Sequence, residues 1–545
     1  MYLTDLLENQ PALSMVSPGS GHGGSRHSAL GHDSLVISGL SDDSRRVSAG
    51  HVFFAIKGGN HDGRDYAAAA HAAGAIAIIT DDRPLDGDIK NLAADMAIIT
   101  CANPRLALAK AARQFWPKQP GLIAAITGTN GKTSTAEFLR QIWSRVTWDA
   151  ASIGTLGLNG ADTRKLAGKM LELPNLTTPD AISLHSTLNL LGGVGLTHLA
   201  LEASSHGLVQ NRLDGLNIHV AAFTNLTRDH LDHHHEMDSY FTAKSRLFTD
   251  ILMHAGAAII NIDDDFGRRL VDLLKADTSG GTSEGTSGGK SGGTCEFVIS
   301  TFGWADDADF KIDALDSIGN GQLMKVTHKD QQYQIPVALS ADFQAANALT
   351  AAIMAYHSGL ALHDSLGAMA YLIPAPGRMQ TVTGHPTGAR VVVDYAHTPD
   401  ALGAALASLR AEAGGKLCVL FGCGGKRDKG KRQMMGKIAA KMADVIYVTD
   451  DNPRSEDAAT IRAQIIAGCP DAIEIAQRDN AIKAAIDALG GDDVLLIAGK
   501  GHEMVQLVGS ETLPFSDASV AQNVIADLAA RSAPNAIIGG EEKDG

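Results

Sequence analysis

The stretch from Leu122 to Trp143 constrains the fold of this chain more than any other. Leu122-Ile123-Ala124-Ala125-Ile126 is apolar at every position, as a strand must be when both faces of its sheet are covered. It runs straight into Gly128-Thr129-Asn130-Gly131-Lys132-Thr133, and helical sequence follows from Ser134 to Trp143. A buried strand, a glycine turn and a helix in immediate succession place the segment in an α/β fold.

The turn also has chemical meaning. Consecutive backbone amides where a strand passes into a helix can cradle phosphate oxygens, and the helix dipole favours the negative charge. Gly128 and Gly131 permit the tight backbone, Lys132 supplies charge, and the Thr133 hydroxyl suits a magnesium ion. The generic pattern Gly-x-x-x-x-Gly-Lys-Thr would want glycine where Ile126 stands. The loop thus points to a nucleotide and leaves the reaction open.

The chain has 545 residues, and at roughly 150 residues per domain that implies three or four domains. Short apolar runs at Val52–Ile56, Ala75–Ile79 and Met96–Ile99, with Ala-rich helical stretches between the later ones, predict a small α/β domain over 1–117. A second domain is expected over 118–373, ending before Pro374-Ala375-Pro376-Gly377. Two tracts, Ser17–Gly31 and Thr278–Thr294, are too rich in Gly and Ser to bury a core and read as flexible; the second is taken as an insertion within the central domain, at about 278–294.

A third domain is expected over 374–545, with four apolar runs at Val391–Val393, Leu417–Phe421, Val445–Val448 and Val494–Ala498. Each ends in a polar cluster: Asp394–His397, Gly422–Arg427, Asp450–Arg454 and Gly499–Glu503. Ligands of open parallel sheets bind beyond the carboxyl ends of the strands. Four such clusters therefore predict a site in a Rossmann-like domain.

A net charge of −15 argues against nucleic acid as the partner. Five scattered cysteines fit a reducing compartment rather than a disulfide framework. The N-terminus lacks a signal-peptide pattern, and no apolar stretch is long enough to span a membrane. The expectation is a cytoplasmic monomer acting on small molecules.

Further motifs give the loop a context. These are Asp43-Ser44-Arg45, Leu176-Thr177-Thr178-Pro179, Glu202-Ala203-Ser204-Ser205-His206-Gly207-Leu208, Thr224–Asp232, Asp394–Asp400 and the three later strand-end clusters. Together, and in this order, they resemble the Mur ligases, which join amino acids to the peptidoglycan precursor. The resemblance implies three α/β domains: an N-terminal uridine-binding domain, a central P-loop ATPase-like domain with a parallel sheet, and a C-terminal Rossmann-like domain. It also implies a reaction in which ATP phosphorylates a substrate carboxylate and an amine then displaces the phosphate, giving an amide, ADP and phosphate.

The resemblance assigns residues as well. Gly128 to Ser134 would hold ATP, with Lys132 on the γ-phosphate, while Asn347, Arg378, Asp394 and His397 would contact base, ribose and phosphates. Thr133 and Glu202 would bind one magnesium ion, and His230 would help bind a second. Lys244 has the sequence context of an ordinary helix lysine, but the matching family lysine is carbamylated, an anionic oxygen ligand suited to magnesium. His233-His234-His235 invites a zinc reading, yet adjacent histidines do not converge on one ion and read as a solvated loop.

By the same resemblance Ser44 and the Gly59-Asn60-His61 turn would face uridine, and Thr177, Thr178, Ser204, Gln210 and Arg212 would hold the muramoyl dipeptide. For the Ser and Thr positions, helix capping or turn chemistry is the alternative. Leu176 departs from relatives that carry Asn there. Asp451-Asn452-Pro453-Arg454, with Arg427, Gly499 and Glu503, would bind the incoming amino acid. A guanidinium at Arg454 can pair bidentately with the second carboxylate of meso-diaminopimelate, which lysine lacks. Two rivals stay open: another ligase of this superfamily, including folylpolyglutamate synthase, and a nucleotide switch that hydrolyses ATP without an amino-acid acceptor.

Overall fold

A computed structural model describes residues 1–7, 13–16, 35–59, 61–85, 87–93, 95–162, 173–174, 176–229, 234, 236–279, 297–318 and 321–532. Three sheets follow one another along the chain. The first has the order β1-β5-β4-β3-β2, from β1 (Ser14–Val16), β2 (Gly39–Ser41), β3 (His51–Ala55), β4 (Ala77–Asp81) and β5 (Ala97–Cys101). All its pairs are parallel except β1 on β5.

The central sheet has ten strands: β6 (Leu122–Thr127), β7 (Ala150–Gly154), β8 (Gly157–Asn159), β9 (His198–Glu202), β10 (Ile218–Phe223), β11 (Leu252–Asn261), β12 (Val298–Gly303), β13 (Phe310–Ile318), β14 (Gly321–His328) and β15 (Gln331–Val337). Their order is β15-β14-β13-β12-β11-β10-β6-β9-β7-β8. The expected parallel sheet is thus mixed: β13, β14 and β15 form an antiparallel meander, and β8 turns back on β7. At the β14–β15 turn Lys329 and Asp330 both have positive φ, 49° and 62°, the primed geometry that matches strand twist in a two-residue hairpin. Neither residue is a glycine, so the turn carries little sequence signal.

The third sheet comprises β16 (Gln380–Val382), β17 (Arg390–Asp394), β18 (Leu417–Phe421), β19 (Val445–Val448), β20 (Ile473–Glu474) and β21 (Val494–Ala498), in the order β16-β17-β21-β18-β19-β20. Beyond it a small hairpin pairs β22 (Val505–Val508) with β23 (Glu511–Pro514). Residues 372–379 cross from the central to the third sheet without helix or strand.

The apolar runs are continuous because each sheet is covered on both faces. In β6, Ile123 and Ala125 enter one core while Ala124 and Ile126 enter the other. In β18, Val419 and Phe421 face one core and Cys418 and Leu420 the other. Burying side chains of this kind stabilises by about 1.5–3 kcal/mol for each Val, Leu, Ile or Phe, and here it also fixes the register. Ile126 of β6 lies beside Glu202 of β9, and Thr127 beside Phe223 of β10. Asp394 lies beside Ala498, and Phe421 beside Val448. The polar clusters therefore leave their sheets together, at the carboxyl edge.

The helix after the glycine loop spans Lys132–Arg145, starting two residues before the expected Ser134. The first Gly/Ser tract, 17–31, lies outside the described residues. The second begins at the end of the helix Asp265–Ser279 and is otherwise outside them. Among the described residues no helix is long and apolar enough to cross a membrane.

A buried ion pair ties the third sheet to the last helix, Asp517–Ser532. Arg478 donates to both Asp517 oxygens at 2.7 Å and to the Ala498 carbonyl at 2.8 Å, with neither side chain exposed. Arg478→Ala strands a buried carboxylate and should lower the unfolding free energy by about 3–5 kcal/mol. Urea denaturation measures this, and an unchanged midpoint would contradict it.

Candidate active site

The glycine loop closes against two neighbours. Gly128 has φ +148° and Gly131 φ +89°, and a Cβ at either would collide, with the Thr224 hydroxyl and the Asn347 side-chain oxygen respectively. Both positions need glycine for backbone angle and for close approach. The segment after β10 braces the loop from outside. Asn225 Oδ1 accepts from the Asn130 amide at 2.9 Å, the Asn225 carbonyl from the Thr129 amide at 2.9 Å, and Thr224 Oγ1 donates to the Asn130 carbonyl at 2.6 Å.

Two lysines meet at the loop. Lys132 Nζ donates to the carbonyls of Gly128 and Thr129, each at 2.8 Å. Lys244, on the helix Met237–Arg246, reaches the same Gly128 carbonyl at 2.7 Å and is 1% exposed. Its ammonium also lies 4.6 Å from the centre of the Tyr240 ring. Burial pushes the Lys244 pKa well down, and the Lys132 ammonium pushes it further. Burial likewise lowers Lys132, against the opposing pull of Glu202 and Asp229. Lys244 is therefore no ordinary helix lysine.

Glu202 ends β9, and its side chain is 2% exposed. It accepts hydrogen bonds from Thr133 Oγ1 at 3.0 Å, the Thr155 amide at 2.8 Å and Thr155 Oγ1 at 3.1 Å. A hydroxyl and a carboxylate 3.0 Å apart at the foot of a phosphate loop are hard oxygen donors. They fit magnesium, which keeps several waters and binds through few protein oxygens plus phosphate. Among the described residues no three His, Cys, Asp or Glu side chains gather into a metal cluster, and such a magnesium site needs none. His230 lies outside the described residues. So do His233 and His235, but His234 is no solvated loop residue: it stacks on Tyr240 at 4.9 Å and bonds Ser205 Oγ at 3.0 Å.

From the loop a pocket of about 300 Å³ runs toward the third sheet. Asn130, Gly131, Ser134, Asn347, Arg378, Asp394 and His397, all expected from the sequence, line it. Phe302, Phe343 and Ala401 give it an apolar end suited to a nucleobase; these the sequence reading missed. Phe343 is one helical turn from Asn347, the i to i+4 spacing that could have flagged it. Arg378 crosses between the sheets: its Nη2 donates to Thr133 Oγ1 at 3.0 Å, while its Nε is buried without a partner among the described residues. Asp394 does not face the ligand as a free carboxylate, since it accepts the amides of Met379 at 2.7 Å and Ala396 at 2.8 Å. Burial pushes the Asp394 pKa up and His397 down to about 4.

A second pocket of about 160 Å³ is lined by Arg427, Asp451, Asn452, Arg454, Gly499 and Glu503. The structure thus brings together six of the seven residues read as one set; Pro453 is buried behind them, its carbonyl against Gly425. Cys423, Asp229 and Lys431 also line this pocket. Asp229 stood in a motif already noted; Lys431 gave no sequence signal. A third space of about 660 Å³ joins this pocket to Thr155, Leu176 and Thr177 across the gap between the sheets.

The remaining residues lie on the side of the central sheet nearer the first. Thr178 Oγ1 and Ser204 Oγ are 3.0 Å apart, and Arg212 donates to the Thr178 carbonyl at 2.6 Å and to Gln210 Oε1 at 2.9 Å. Ser204 also caps the helix Ser205–Val209, so the capping alternative holds there. Ser44 opens a short 3₁₀ turn and Gly59 and His61 belong to an exposed one; Asp42, two residues before Ser44, is near enough to Arg212 to act on its charge, and Asn60 is outside the described residues.

A phosphate loop with a hydroxyl and a carboxylate at its foot, and beside it a pocket lined by both arginines and carboxylates, are the parts of a nucleotide-dependent enzyme that joins or transfers groups between two substrates. The comparisons name the family. Residues 36–116 match the model of the Mur ligase family, catalytic domain; residues 126–355 match the Mur ligase middle domain; residues 377–501 match the Mur ligase, glutamate ligase domain. The chain is 44% identical over 499 residues to UDP-N-acetylmuramoyl-L-alanyl-D-glutamate--2,6-diaminopimelate ligase of Bradyrhizobium diazoefficiens, covering 92% of this chain and 96% of that one. It is 43% identical to the protein of that name from Brucella melitensis, covering 91% and 95%. A solved structure of a ligase with that name aligns with TM-score 0.62 at 30% identity, covering 92% and 97%. The fold is shared at 18% identity with a MurF ligase from Thermotoga maritima in complex with ADP, TM-score 0.57, covering 91% and 98%. The chain belongs to the Mur ligase family, ATP-dependent ligases that form carbon–nitrogen bonds between an acid and an amino acid.

The glycine geometry makes a direct test. Gly131→Ala forces a side chain into a left-handed backbone and against Asn347, which costs about 1–2 kcal/mol in backbone strain alone. ADP affinity by calorimetry should fall at least ten-fold with the circular dichroism spectrum unchanged; an affinity equal to wild type would refute this reading of the loop.

Proposed function

We propose that the chain joins meso-diaminopimelate to UDP-N-acetylmuramoyl-L-alanyl-D-glutamate, converting ATP to ADP and phosphate, in peptidoglycan precursor synthesis. The observation that carries this is the 160 Å³ pocket, in which two arginines and a glutamate converge beside the space leading to the phosphate loop. Arg427 and Arg454 suit two carboxylates and Glu503 an ammonium, the groups a diamino diacid presents. The names of the relatives agree.

In the proposed reaction an oxygen of the dipeptide carboxylate attacks the γ-phosphorus, and the bond to ADP breaks. The neutral amine of diaminopimelate then attacks the acyl carbon, phosphate leaves with the bonding electrons, and the amine's extra proton passes to solvent. Lys132 and Arg378 counter the charge that accumulates when a carboxylate approaches a polyanion. Thr133 and Glu202 are proposed to hold one magnesium ion and His230 to help hold a second, with Lys244 as its carbamate a further ligand; bound there, magnesium would supply positive charge against the phosphate oxygens. Asn347, Asp394 and His397 orient the nucleotide. Ser44 and the Gly59–His61 turn take the uridine, while Thr177, Thr178, Ser204, Gln210 and Arg212 take the muramoyl dipeptide.

Lys244 is proposed to carry a carbamate. Its buried position beside a second ammonium favours the neutral amine, the form that adds carbon dioxide, and the product is an anion where two cations stood. The domains are proposed at 1–117, 118–373 and 374–545, and the protein as a cytoplasmic monomer. Free, buried Cys101, Cys418, Cys423 and Cys469 suit a reducing compartment.

Phosphate release in the presence of ATP and the nucleotide-linked dipeptide should require an amino acid, with meso-diaminopimelate far ahead of lysine and ornithine. Arg454→Ala should narrow the preference over lysine by at least ten-fold, since no guanidinium is then left without its carboxylate partner when lysine binds. If the variant rejects lysine as strongly as wild type, the role of Arg454 is wrong. ATP hydrolysis without any acceptor would favour the switch. For Lys244, a carbamate carbon signal in ¹³C NMR after incubation with labelled bicarbonate should be present in wild type and absent in Lys244→Arg. Because the lysine's pKa is lowered, its neutral amine persists to lower pH than that of an exposed lysine. The signal should therefore grow as pH rises through that lowered pKa and fade on acidification; a signal equal in the variant would exclude Lys244.

A further inference from the structure

Within the Gly499–Glu503 cluster, Gly499 and Glu503 line the amino-acid pocket, while Lys500 between them lies beneath it with 0% exposure. Its ammonium makes three hydrogen bonds, to Asn452 Oδ1 at 3.0 Å, Glu503 Oε2 at 2.8 Å and the Val505 carbonyl at 2.8 Å. Three donors on an ammonium meet three acceptors, so its hydrogen-bonding capacity is filled. The acceptors come from three separate walls: the loop after β19, the loop after β21, and the first residue of β22.

The network continues to Arg454. Asn452 Nδ2 donates to Glu503 Oε2 at 2.7 Å, and Asn452 Oδ1 also accepts the Leu507 amide at 2.9 Å. The Leu507 carbonyl accepts the Arg454 amide at 3.0 Å, and the Gly509 amide donates to the Arg454 carbonyl at 2.7 Å. Arg454 has φ +54°, a left-handed conformation that a non-glycine residue keeps only when its surroundings impose it. Those surroundings are the β22–β23 hairpin, and the hairpin is tied to the sheet through Lys500 and Asn452.

Glu503 is fixed by the same ammonium. Its Oε2 has two donors, from Asn452 and Lys500, whereas its Oε1 takes none from the described residues and its side chain is 26% exposed in the pocket wall. Tying one oxygen stops the carboxylate from rotating and leaves the other for a ligand.

We propose that Lys500 is the positioning residue of the amino-acid pocket. Without touching the ligand it sets the direction of Glu503 and, through Asn452 and the hairpin, the strained backbone of Arg454. This rests on the reading of that pocket as the diaminopimelate site. A lysine that served only as a fold staple would change stability on removal and leave the three substrates' KM values in their wild-type ratio.

The test is phosphate release by wild type and Lys500→Met, varying one substrate at a time. The expected result is a KM for meso-diaminopimelate raised at least ten-fold, KM values for ATP and the nucleotide-linked dipeptide within two-fold of wild type, and a smaller preference over lysine. A diaminopimelate KM within two-fold of wild type, or an equal rise for all three substrates, overturns the proposal. Should Lys500→Met fail to melt cooperatively, Gly509→Pro decides. It lies at the exposed hairpin turn, cannot hold φ +60° and loses the amide bonded to Arg454. A diaminopimelate KM within two-fold of wild type in that variant overturns the proposal equally. If wild type itself releases no phosphate in response to meso-diaminopimelate, the reading of the pocket fails rather than the role of Lys500.

Discussion

One carbonyl oxygen, that of Gly128, receives two lysine ammoniums, Lys132 at 2.8 Å and Lys244 at 2.7 Å. Gathering two cations in a desolvated place is unfavourable unless an anion joins them. The proposed chemistry supplies such anions, as phosphate and as carbamate, and the rest of the central site is arranged around this spot. Tyr240 lies under Lys244, and its hydroxyl is 3.3 Å from Thr129 Oγ1 of the loop. The Thr224–Thr227 segment holds the loop's outer side, leaving Glu202 and Thr133 at its foot.

That arrangement depends on strand register. Because side chains alternate between two cores along each strand, a one-residue slip would exchange the cores and move every strand-end cluster. The central and third sheets therefore deliver their polar ends as fixed sets, and the two sets approach each other across residues 372–379. Arg378, in that crossing, bonds Thr133 of the phosphate loop at 3.0 Å. The space of about 660 Å³ between Thr177 and Arg454 lies where an acceptor must meet an incoming amine in the proposed reaction.

The amino-acid pocket follows a different rule. Its charged residues are held less by strand register than by a hydrogen-bonded network that leaves Arg454 in a left-handed conformation. An arginine fixed in this way loses little freedom on pairing with a carboxylate, and a ligand lacking that carboxylate leaves it unpaired. In the proposed reading, selectivity for a diacid would rest on the backbone as well as the side chain.

The sequence by itself determined the sheet cores and the contents of the strand-end clusters. Alternation into two buried faces leaves an unbroken apolar signature, and the glycines of a phosphate loop are required by backbone angle wherever the loop occurs. It also determined six of the residues that line the amino-acid pocket, because they leave adjacent parallel strands at one edge. Only the tertiary structure decided the rest. The second turn of the antiparallel meander β13–β15, at Lys329-Asp330, has no glycine, so no local rule marked that turn. Phe302, Lys431 and Lys500 owe their places to contacts distant in sequence, and Lys244 reads as an ordinary helix lysine until the fold carries it 116 residues back to Gly128. Local propensity reports which face of an element is apolar; which buried groups meet is decided when the elements pack.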